Sequence, residues 1–226
     1  MIYTVSEWLA TISESLIIFF FLVKILSYKN MTQSKKIIGT IIFCCLQCTS
    51  SLVLDQFFVF EGLYVIITIF IYFIFCWIML KKPIWFQTIV VLLIFACLFT
   101  INIAVTLIAG LILQSTTSDV LSLRNPVRIL LLFITKAMLV FALIILTNIF
   151  EKKKVIFHVS QCVTMAAVLL ITFFAGVVLE EIVIETDVAS WEVFAIVICM
   201  IAINILLFLV LYLTSSRNRV ENNQAL

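Results

Sequence analysis

Two carboxylates stand inside an apolar run that ought to exclude them. The stretch SEWLATISESLIIFFFLVKILSYKN carries Glu7 and Glu14, and an ionised side chain near the middle of a bilayer costs at least about 2.5–3.5 kcal/mol unless something answers it. Glu7, Thr11 and Glu14 recur at i, i+4 and i+7, so a helix would place all three on one face. Lys136, in the apolar segment LLLFITKAMLVFALII, is the one cation that lies as deep in its own run. Asn102 and Gln47 are polar insertions in two further runs. Such a set can pair charge across helices, hold a polar ligand within the membrane, or switch between two arrangements.

Other residues with chemical potential point mostly to packing. The seven cysteines, Cys44, Cys45, Cys48, Cys76, Cys97, Cys162 and Cys199, all fall in apolar runs. CCLQC contains a CxxC spacing without a nearby histidine, so it reads as small soft packing residues rather than a metal or redox site. His158 is the only histidine and reads as interfacial. The acids of EEIVIETD are expected in a solvated outer loop, with no later histidine to make them a protease site. No P-loop lysine motif, glycine-rich phosphate loop or HExxH occurs. The last apolar run lacks a lysine for a retinal Schiff base. No catalytic residue, cofactor, metal or nucleic-acid partner is expected.

The elements that must position these residues follow from composition. Of 226 residues, 65% are hydrophobic and 12% charged, against roughly half and a quarter in a soluble domain; mean hydropathy is +1.32. Apolar stretches of membrane-spanning length run over about 4–27, 37–54, 63–80, 84–113, 127–150, 155–179 and 191–213. The fold class expected is therefore all-α, a polytopic bundle of seven transmembrane helices, multi-pass in the plasma membrane. Residues 1–214 form the bundle, and 215–226 begin a cytoplasmic signalling helix or tail. The first run is no cleaved signal peptide, since MIYTVSE is acidic and the apolar segment continues too far.

Charge orients the bundle. With the N-terminus outside, Lys29, Lys35, Lys36, Lys81, Lys82, Lys152, Lys153, Lys154, Arg217 and Arg219 all fall inside, while only Arg124 and Arg128 fall outside. The C-terminus is then cytoplasmic. Trp8 and Trp191 mark the outer interface, and Trp77 and Trp85 the inner one. In this frame Glu14 lies ~15 Å from the outer end of its helix, and Lys136, Asn102 and Gln47 fall in roughly the same layer. The sequence thus predicts a Glu14–Lys136 pair with Asn102 and Gln47 as hydrogen-bond partners. Glu7 and Thr11 extend the polar face outward. The layer serves either as a clamp on helix register or as a ligand pocket or switch open to the outside.

The opening SEWLATISESLIIFFFLVKIL, the acidic-outside bundle and the exit LYLTSSRNRVENNQAL together resemble the membrane sensor region of bacterial sensor histidine kinases with a GHKL-type ATPase domain, relatives of the peptide-pheromone quorum-sensing receptors of Firmicutes. The likeness covers the layout of the whole chain, and residue by residue only the first helix and the exit. It implies a two-component sensor that detects an extracellular ligand, a peptide among the candidates, and signals through its last helix as a homodimer. In that family the last membrane helix continues into a coiled coil with the phosphoacceptor histidine and then an ATP-binding domain. These residues contain neither, and His158 lies in a membrane run, so they correspond to the sensor part alone, without enzymatic activity. The alternative is a small integral membrane transporter or membrane-complex subunit, although no repeat or paired broken helix marks a carrier. Lipid is the surrounding partner in either case.

Overall fold

The computed structural model describes residues 2–56, 61–113, 126–153 and 159–186, together with helical positions between 195 and 210. Its elements are α1 (Ile2–Leu26), α2 (Gln33–Gln56), α3 (Glu61–Met79), α4 (Ile84–Leu113), α5 (Pro126–Lys153) and α6 (Val159–Thr186). The protein is all-helical among the described residues. Three segments, Val5–Leu26, Ile84–Leu113 and Val127–Phe150, are long and apolar enough to cross a membrane. The run expected at 191–213 is helical wherever it is described, and 215–226 lie outside the described residues, as does His158.

Helix limits differ from the apolar runs where polar residues still favour helix. α2 starts at Gln33 rather than 37 because the Lys36 N–H already reaches the Thr32 carbonyl at 3.2 Å, which makes Thr32 the capping residue. α6 continues to Thr186, so Glu180, Glu181 and Glu185 ride on a helix and not in a loop. Glutamate is a good helix former, and neither glycine nor proline interrupts the chain between Gly176 and Thr186.

The helices alternate in direction, and their linked ends define two poles. At one pole the turn after α1 pairs with the turn after α3: Lys29 N–H donates to Met79 O and Lys81 N–H to Ser27 O, both at 2.9 Å, with Tyr28 opposite Leu80 as an isolated antiparallel bridge. Ser27 takes φ 58°, and its N–H reaches Val23 O at 2.9 Å, the left-handed stop of a helix C-terminus. Phe86, near the start of α4, stacks edge-on to Phe150 of α5 at 5.6 Å. Met165 and Leu169 of α6 pack on Ile89 and Leu92 of α4, which makes these two helices parallel. Hence α1, α3 and α5 end, and α2, α4 and α6 begin, at this pole.

The core sits between α1, α3, α4 and α5. Rings make a continuous file through it: Phe43 to Phe75 at 5.4 Å, Phe75 to Phe19 at 4.7 Å, Phe19 to Tyr72 at 4.7 Å and Tyr72 to Phe95 at 5.5 Å. The outside is as apolar as the inside. Leu9, Phe20, Phe70, Phe133, Phe141 and Ile171, on four different helices, are all more than 60% exposed, a surface that water would not tolerate. Lipid is the solvent that fits it.

Close α2–α3 packing depends on Gly39. A β-carbon there would meet Met79 Cε at 2.5 Å and Sδ at 3.0 Å. The end of a methionine side chain can yield to one methyl group but not to a branched one. Gly39→Val should therefore destabilise by about 1–2 kcal/mol, measured as melting temperature in detergent, and Gly39→Val/Met79→Ala should regain most of the loss.

Candidate functional site: a charge ladder between α1 and α5

α1 and α5 lie side by side and run in the same direction. On their seam Arg128 Nε donates to Glu7 Oε1, and Lys136 Nζ donates to Glu14 Oε2. Glu7 and Glu14 are seven residues apart, about 10.5 Å, and Arg128 and Lys136 are eight apart, about 12 Å. Both intervals are close to two helical turns, so each helix presents its two charges on one stripe. The long, flexible stems of arginine and lysine absorb the one-residue mismatch. In both rungs the acid stands on α1 and the cation on α5.

The two rungs differ in depth. Side chains of the Arg128–Glu7 rung are each 26% exposed, whereas Lys136 and Glu14 are 16% and 23% exposed. Arginine, with its planar fork and weaker hydration, occupies the rung nearer the helix ends, and lysine, a compact point charge, occupies the deeper one. Both are charge-assisted bonds, about twice as strong as neutral ones. Both rungs are thus partly exposed along the seam and not sealed in a closed core.

The remaining residues expected in this layer distribute differently. Thr11 sits between the rungs on α1, but its hydroxyl donates to the Glu7 carbonyl at 3.1 Å and so serves its own helix. Asn102 is half-buried on α4, and among the described residues no hydrogen bond joins it to either rung. Gln47 lies elsewhere. Its Nε2 donates to Thr68 Oγ1 of α3 at 3.2 Å and approaches Ser51 Oγ at 3.4 Å. The physical reason is lateral: α5 packs on α1 and α4, whereas α2 packs on α1 and α3. Depth counting grouped Gln47 with a pair that lies on the other side of α1.

The Gln47 node is only half satisfied, since Gln47 Oε1 is buried without a partner. Ser51 returns its own proton to the Gln47 carbonyl at 2.9 Å and keeps that bond whatever stands at 47. Removing an incompletely bonded buried amide in favour of an apolar group of similar shape is nearly neutral. Gln47→Leu should thus stay within about 1 kcal/mol of the parent in thermal melting. A loss above twice that would assign Gln47 a role beyond packing.

Arg128 is the member that reasoning from the sequence missed, because it was counted only as a charge at the outer end of its run. Its spacing to Lys136, set beside that of Glu7 to Glu14, was the available signal. Among the described residues no group of three histidine, cysteine or acidic side chains could hold a metal ion, and Cys44, Cys45, Cys48, Cys76, Cys97 and Cys199 are free thiols. What the ladder does is tie α1 to α5 by two ion pairs at two depths. No protein-family model, curated protein or solved structure matches the chain.

Proposed function

We propose that the chain is the membrane sensor module of a two-component histidine kinase, a seven-helix bundle with its N-terminus outside and its C-terminus in the cytoplasm. The observation that carries this reading is the ladder itself. It starts near the N-terminal end of α1, reaches the half-depth of the bundle, and joins two parallel helices whose relative movement would strain or break its pairs. Alternating helix directions, with lysines gathered where α1 and α3 end, support the orientation.

In this mechanism an extracellular ligand, a cationic peptide by charge complementarity, engages Glu7 and frees Arg128. Such binding signals only if the ligand prefers one of two helix arrangements. The deeper Glu14–Lys136 rung supplies the second arrangement by breaking or re-registering. The last helix then carries the change to a cytoplasmic kinase, in a homodimer. The test is to read the source gene past Leu226. A histidine-bearing helix followed by an ATP-binding domain is the expected result. A stop codon would remove the kinase reading, and ion or solute flux in proteoliposomes would then test a carrier that uses the same charged seam.

A further inference from the structure

We infer that the pole where α1 and α3 end holds the headgroup of an anionic phospholipid, seated against the paired α1–α2 and α3–α4 turns. This goes beyond the receptor reading and needs only that the bundle be embedded in a bilayer. Residues 24–36 and 79–87 contain Lys24, Lys29, Lys35, Lys36, Lys81 and Lys82 and no acid. No carboxylate is bonded to any of these lysines among the described residues.

Helix C-termini normally present orphan carbonyls that offset nearby cations. Here several carbonyls at the two helix ends and in the turns are already occupied. Met79 O takes Lys29 N–H, Ser27 O takes Lys81 N–H, and Trp77 O takes Lys29 Nζ at 2.5 Å. Gln87, buried at the start of α4, covers Leu80 O at 3.2 Å and Lys82 O at 2.7 Å. One lysine is spent in this stitching, and the others remain for an outside anion. Lys36 is held 5.7 Å above the Tyr28 ring and Lys82 5.8 Å above the Phe86 ring. Tyr28 is in turn fixed by a 2.6 Å bond to Thr40. The bridge therefore gathers Lys36, Lys81 and Lys82 at the two paired turns, with the N-termini of α2 and α4 adding their partial positive charge. The indoles of Trp77 and Trp85, 59% and 50% exposed, lie beside it as headgroup-level anchors for acyl chains. A phosphate on a lipid satisfies both the cations and the apolar rim, which free phosphate would not.

The test is lipid retention by the detergent-solubilised full chain, read by native mass spectrometry. Phosphatidylglycerol, phosphatidylcholine and soluble glycerol phosphate serve as probes. Near an anionic surface each lysine contributes about fivefold, so phosphatidylglycerol should be preferred over phosphatidylcholine by on the order of tenfold or more, with glycerol phosphate not retained. Lys36→Gln/Lys81→Gln/Lys82→Gln should abolish the preference, and the matching triple arginine variant, which keeps the charge, should preserve it. Equal retention of the two lipids by the parent, or a preference that survives the glutamine variant, overturns the site. So does an equal loss from Lys152→Gln/Lys153→Gln, which would place the attraction in net charge and not in this turn.

Discussion

Lys136→Met should lower the melting temperature of the detergent-solubilised protein by about 5–10 °C, on a scale of roughly 2–4 °C per kcal/mol for a chain of this size. The substitution keeps length and apolar bulk but strips Glu14 of its cation. Breaking one side of a fully buried ion pair costs about 3–5 kcal/mol, because the surviving charge is left without compensation. The deeper rung is 16% and 23% exposed, so this partial exposure softens that penalty to about 2–3 kcal/mol. The outer rung, at 26% on each side, is closer to a surface pair worth about 0–1 kcal/mol. Arg128→Gln should accordingly cost less than half as much as Lys136→Met.

The double variant separates charge compensation from packing. Glu14→Gln/Lys136→Met removes the uncompensated carboxylate, and most of the lost stability should return. Melting that is unchanged in Lys136→Met, or a double variant no better than the single one, would show that the rung is not what holds α1 on α5. Polar contacts between membrane helices average only about 0.6 kcal/mol in double-mutant cycles. A coupling several times that value would mark this rung as ionic in effect, and retaining it would then cost the chain little stability.

The axial coordinate of the site was legible in the sequence, and the lateral one was not. Charge in an apolar run is costly enough that Glu14 and Lys136 had to find partners, and equal depth from the helix ends nominated each for the other. The structure joins them. Depth says nothing of which helices are neighbours, and for this reason Gln47 was grouped with a pair that lies across α1 from it. Arg128 was hidden by a different effect. It stands two residues after the start of α5, where a cation needs no special explanation, and only its two-turn spacing to Lys136 reveals the stripe. The pole built by Tyr28 and Leu80 was invisible for a third reason. Its backbone bridge comes from the meeting of two turns 52 residues apart in sequence, and no local pattern encodes it.

Phe19→Ala should be destabilising by about 2–4 kcal/mol, while Phe20→Ala, one residue along, should change stability by less than about 1 kcal/mol. The contrast tests which force holds the bundle together. Phe19 is 1% exposed and meets Tyr72 and Phe75 with both ring centroids at 4.7 Å; Phe20 is 62% exposed on the outer face of α1. In water both truncations would forfeit transfer free energy. In a bilayer the outer ring already lies in a hydrocarbon-like solvent, so the transfer contribution largely disappears and only packing remains. Phe19 loses two aromatic contacts, each worth about 0.5–1.5 kcal/mol, and leaves a void in a file of rings that ties α2, α3, α1 and α4 together. Phe20 leaves a space that acyl chains refill. Thermal melting of both variants in lipid nanodiscs provides the comparison, with circular dichroism to confirm that each is helical at the start. Equal losses would mean that α1 is turned differently from the arrangement described, with Phe20 inside the bundle. Because Glu7 and Glu14 share the rotation of α1 with Phe19, such a turn would also carry both carboxylates away from α5, and the ladder would fail with it.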